Sequence, residues 1–61
     1  MLMAVYADLM AFAHRFLNAG QFDAAEACYL EAAGIAKLDG GEIEEATALH
    51  FAWIAQERRT Q

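Results

Sequence analysis

At 61 residues the chain has room for one domain, and its single cysteine rules out an internal disulfide as a supplement to a small core. Nine Asp and Glu against four Lys and Arg leave a formal net charge of −5, which excludes nucleic-acid phosphates and an anionic membrane surface as expected partners. Abundant alanine and the absence of proline specify an all-α fold, because alanine loses no side-chain entropy in a helix.

The first predicted helix runs from Leu2 to Asn18. Leu2, Val5, Tyr6, Leu9, Phe12, Ala13, Phe16 and Leu17 recur at spacings of three and four and form one apolar stripe. Met3, Ala7 and Met10 lie beside that stripe and widen it. The run from Met1 to Ala13 is too short to span a bilayer and contains Asp8, and no positive segment precedes it. The chain therefore reads as cytoplasmic, with no membrane partner. Asn18-Ala19-Gly20 is the stop, with Gly20 free to take a positive φ.

The second predicted helix covers Phe22 to Lys37. Phe22, Ala25, Tyr29, Ala32 and Ala33 share one face, where large and small residues alternate as a close neighbouring helix requires. Cys28, Leu30 and Ile35 fall off that face. Gly34, inside the helix, suggests a close helix–helix contact. Leu38-Asp39-Gly40-Gly41 breaks the helix, with Asp39 available to turn the chain or to cap the next helix.

The third predicted helix covers Glu42 to Arg59, acidic at its start and basic at its end as the helix dipole favours. Ile43, Ala46, Leu49, His50 and Trp53 make one apolar face, and Phe51, Ile54 and Ala55 make a second. Both connections are short, so the expected architecture is an antiparallel, up-down-up three-helix unit.

The segment Gly20-x-Phe22-x-x-Ala25-x-x-x-Tyr29-x-x-Ala32 resembles a tetratricopeptide repeat, with Leu9, Phe12, Ala13 and Phe16 where that family places apolar and small residues in its first helix. Leu9 stands where the family carries Trp, and Lys37 where it often carries proline. A partial echo occurs at Gly41-x-Ile43-x-x-Ala46. The resemblance spans Tyr6 to Lys37, with the third helix as a cap. The hairpin is also similar to the three-helix microtubule-interacting-and-trafficking domain. Both resemblances imply a module that binds peptides or protein helices and is not an enzyme.

The residues themselves support no catalytic or metal site. His14 and His50 each stand alone within a helix, without a second ligand at zinc-binding spacing. His14 reads as a surface residue and His50 as a partly buried, hydrogen-bonded one. Cys28 is mid-helix between Ala27 and Tyr29, the place of a small core or interface residue rather than an activated thiolate. Glu42, Glu44 and Glu45 are accounted for by the helix start. No cofactor is expected.

Two of the helices carry more apolar residues than one core face uses, so the expected function is a protein-interaction or adaptor module, homodimeric or joined to another protein. The expected interface is Met3, Ala7 and Met10 on paired first helices, with Phe51 and Ile54 either covering it or receiving a partner helix. The alternatives are an acidic inhibitor or mimic that occupies a basic site on another protein, and a small metal-binding or enzyme-accessory subunit.

Overall fold

The computed structural model describes residues 2–61. Three helices, α1 (Leu2–Asn18), α2 (Phe22–Leu38) and α3 (Glu42–Arg59), run up-down-up. Their bounds match the hydrophobic periodicity, except that α2 continues one residue further, to Leu38. The central helix, α2, packs closely against both neighbours.

Both turns are built the same way. After α1, the Gly20 N–H donates to the Leu17 carbonyl at 3.1 Å and the Gln21 N–H to the Phe16 carbonyl at 2.8 Å. After α2, Gly40 donates to Lys37 at 3.2 Å and Gly41 to Ala36 at 2.8 Å. This paired pattern satisfies carbonyls that the helix end leaves open, and it needs a left-handed residue. Gly20 (φ 78°) and Gly40 (φ 75°) supply it. Gly40, not Gly41, is thus the conformational counterpart of Gly20, and the echo in the sequence is shifted by one residue. Asp39 ends α2, and its side chain does not cap α3; Gly41 occupies that cap position.

The core is lined mainly by alanine. Ala25, Tyr29, Ala32, Ala33 and Ala36 of α2 are buried, which is the face the periodicity selects with Ala36 added. Alanine on facing helices allows close approach, and Tyr29, the one large, fully buried side chain among the described residues, fills the remaining space.

Five residues of the expected α1 stripe lie in or against the core, Ala13 and Leu17 buried and Tyr6, Leu9 and Phe16 packed on it, and in α3 the second expected face turns inward, with Ala55 buried and Phe51 packed beside it. In α1 the buried residues are Met10, Ala13 and Leu17, while Leu2, Val5 and Phe12 of the expected stripe are exposed. In α3 the buried residues are Ala48, Ala52 and Ala55, with Phe51 packed against them. The apolar face Ile43, Ala46, Leu49, His50 and Trp53 points to solvent. The reason is steric: α2 presents Tyr29 on its α3 side, and a row of alanines lets α3 sit close to it, whereas Leu49 and Trp53 would hold it away. Gly34 makes no helix contact, and a Cβ placed there meets nothing within 4 Å.

Candidate functional site

One side chain from each helix meets at the centre. Tyr29 stacks on Phe51 with centroids 5.4 Å apart and planes 20° apart. His14 meets Phe51 edge-on at 5.0 Å and Tyr29 at 5.4 Å. The Tyr29 hydroxyl lies 2.5 Å from His14 Nδ1. With the imidazole proton on Nε2, the hydroxyl donates and Nδ1 accepts, which satisfies the phenol at a site closed to water. Burial pushes the Tyr29 phenol above its usual range; Arg58 opposes the shift and Cys28 adds to it. A second tie joins α1 to α3, where the Tyr6 hydroxyl donates to the Glu44 carbonyl at 3.0 Å. Desolvation, with the charge of Glu44, raises the Tyr6 phenol as well.

The two histidines exchange the roles expected of them. His14 is half-buried and hydrogen-bonded within the joint, whereas His50 is exposed and stacked on Trp53 at 6.3 Å. Helical spacing does not separate them, because their environments depend on which way α1 and α3 are rotated. Cys28 is half-buried against the core. Burial and then the nearby Glu31 push its thiol up, opposite to the shift of a nucleophile. Among the described residues, no three His, Cys, Asp or Glu side chains gather as metal ligands would. No described helix is long and apolar enough to cross a membrane.

The ends of α2 and α3 are clipped by Arg59. Its guanidinium bonds Asp23 at 2.9 Å and Glu26 at 3.1 Å, and the hydrogen bond to Asp23 followed by the charge of Glu26 favours its protonated form. An open cleft of about 580 Å³ lies here, between the α1–α2 turn and the end of α3. Arg58 and Arg59 form its cationic wall, of which Arg59 is paired with Asp23 and Glu26.

The expected interface residues do not come together as one surface. Met10 belongs to the core and Met3 is half-buried. Ala7 is exposed, and Ile54 is half-buried. Phe51 is held in the central joint with Tyr29 and His14. The large apolar side chains left exposed are others: Leu2, Val5 and Phe12 on α1, Leu30 and Leu38 on α2, and Ile43, Leu49 and Trp53 on α3. On α1 the exposed Phe12 ring is partly covered by Arg15, whose guanidinium carbon is 5.7 Å from the ring centroid. On α3 the exposed apolar side chains share one face: Ile43 is 79% exposed, Leu49 45% and Trp53 57%. Their helical spacing places them, with Ala46 and His50, along one line. The row Ala48, Ala52 and Ala55 lies on the opposite, buried face.

No family model, no curated protein and no solved structure matches this chain.

Proposed function

We propose that this chain is a non-enzymatic protein–protein interaction module of tetratricopeptide-like build, and that it works through the apolar side chains its three helices leave outside. The observation that carries this reading is the α3 stripe. Large apolar side chains scattered singly on a surface need no explanation, but Ile43, Leu49 and Trp53 share one helix face, with Ala46 and His50 between them, in a small protein. The repeat-like support is the glycine-turned hairpin with its small and aromatic residues, Ala25, Tyr29 and Ala32, on the packed face of α2. A repeat unit of this kind cannot cover its own outer faces and acts by stacking on another element. Self-association through α1 draws on Leu2, Val5 and Phe12 rather than on Met3 and Met10.

Sedimentation at micromolar concentration, together with binding of an apolar fluorescent dye, tests the reading. The double substitution Leu49→Glu with Trp53→Glu changes exposed positions only, so circular dichroism should report an unchanged helical fold. It should weaken dye binding to what the exposed residues of α1 and α2 support, and abolish any assembly that uses α3. A wild-type chain that binds no dye, stays monomeric and matches the double variant in both measurements refutes the module.

A further inference from the structure

The α3 stripe is bracketed by negative charge. Glu42 lies one residue before Ile43, and Glu57 one helical turn beyond Trp53, on the same line of the helix. Both are exposed. The ion pairs among the described residues are those of Arg59 with Asp23 and Glu26, so neither glutamate is neutralised. Arg58 does not serve them: it is about 100° around the helix from Glu57 and lines the cleft beside the α1–α2 turn. Glu42 and Glu57 stand roughly 22 Å apart at the ordinary helical rise, with about 15 Å of apolar surface from Ile43 to Trp53 between them.

We propose that this stripe receives a basic amphipathic helix from another protein, with apolar side chains facing Ile43, Ala46, Leu49 and Trp53 and with Lys or Arg near each end to meet Glu42 and Glu57. The proposal rests on the interaction reading above and adds the chemistry of the partner. Two features select it. The outer face of a helix offers no backbone donors or acceptors, so the partner's own backbone must be satisfied internally, as in a helix. The charges select against a second copy of this chain. A parallel α3 pair sets Glu42 against Glu42 and Glu57 against Glu57, and an antiparallel pair sets Glu42 against Glu57. The parallel arrangement opposes like charges at both ends; the antiparallel one brings Arg58 near Glu42 as well, but in either case both copies carry a net charge of −5, which disfavours association. A basic helix is instead attracted at both ends, and the net charge of −5 steers its approach.

The chain's one tryptophan lies in the stripe, so its emission reports occupancy directly. The test uses two synthetic helical peptides of about 18 residues, without aromatics, that carry the same leucine stripe. One has Lys pairs at both ends and the other Glu pairs. The Lys-flanked peptide should shift Trp53 emission to the blue, bind at least about tenfold tighter than its Glu-flanked twin, and weaken as salt is raised. The exposed double substitution Glu42→Lys with Glu57→Lys should reverse the preference. Three results overturn the proposal: no binding of the Lys-flanked peptide, a preference unmoved by the charge swap, or self-association of the chain alone that shields Trp53. Equal binding of both peptides, lost in Leu49→Glu, removes the charge assignment while leaving the interaction module intact. The module itself stands or falls on the dye and sedimentation measurements.

Discussion

The same chemical change, glycine to alanine, should move stability in opposite directions at two positions of this chain. Neither Gly20 nor Gly34 has an atom within 4 Å of the place a Cβ would take, so steric clash is absent from both substitutions. What differs is the backbone. Gly34 is inside α2 with an ordinary helical backbone, and alanine there removes conformational freedom from the unfolded chain, a gain of about 1 kcal/mol. Gly20 has φ 78°, where a Cβ is strained against its own backbone, a cost of about 1–2 kcal/mol. For a domain of this size each kcal/mol moves the melting temperature by about 4–8 °C. Thermal unfolding measured by far-ultraviolet circular dichroism should therefore place Gly34→Ala several degrees above the wild type and Gly20→Ala several degrees below. A destabilised Gly34→Ala would refute the open surface described for α2 and reveal another chain packed against it. A neutral Gly20→Ala would refute the left-handed turn.

The core carries three further expected outcomes. The raised phenols of Tyr29 and Tyr6 are held neutral by the fold, so their contribution is complete below the ordinary tyrosine range near pH 10 and is lost as pH rises through their raised values. Denaturant midpoints should fall above about pH 9–10, and Tyr29→Phe should flatten that decline while costing about 1 kcal/mol at neutral pH, where it leaves His14 Nδ1 without its donor. A pH profile identical to wild type in that variant would contradict the assignment. Cys28, with its thiol pushed up, should react with iodoacetamide at about pH 7.5 more slowly than in the urea-unfolded chain, and equal rates would place it outside the core. Met10→Ala should destabilise by about 2 kcal/mol or more, and Met3→Ala by clearly less, in urea melts; equal effects would return both methionines to one shared surface.

Much of this protein is legible in its sequence. The absence of proline, the abundance of alanine and the two glycine-containing turns are local properties, and local hydrogen bonding alone requires a left-handed residue where Gly20 and Gly40 stand. The buried face of α2 is legible for the same reason, because Ala25, Tyr29, Ala32 and Ala33 lie at helical spacing on a helix with few competing apolar positions. Periodicity names faces, but it does not say which of two apolar faces turns inward. In α3 both Ile43–Leu49–Trp53 and Ala48–Ala52–Ala55 satisfy the helical period, and the larger residues weigh more in any hydrophobic count. Tertiary packing chose the alanines, because a helix rotated to present small side chains approaches Tyr29 closely enough for Phe51 to stack on its ring and for His14 to accept its hydroxyl proton. That rotation, a property of the assembled volume and of no single helix, also decided that Met10 is inside and Trp53 outside.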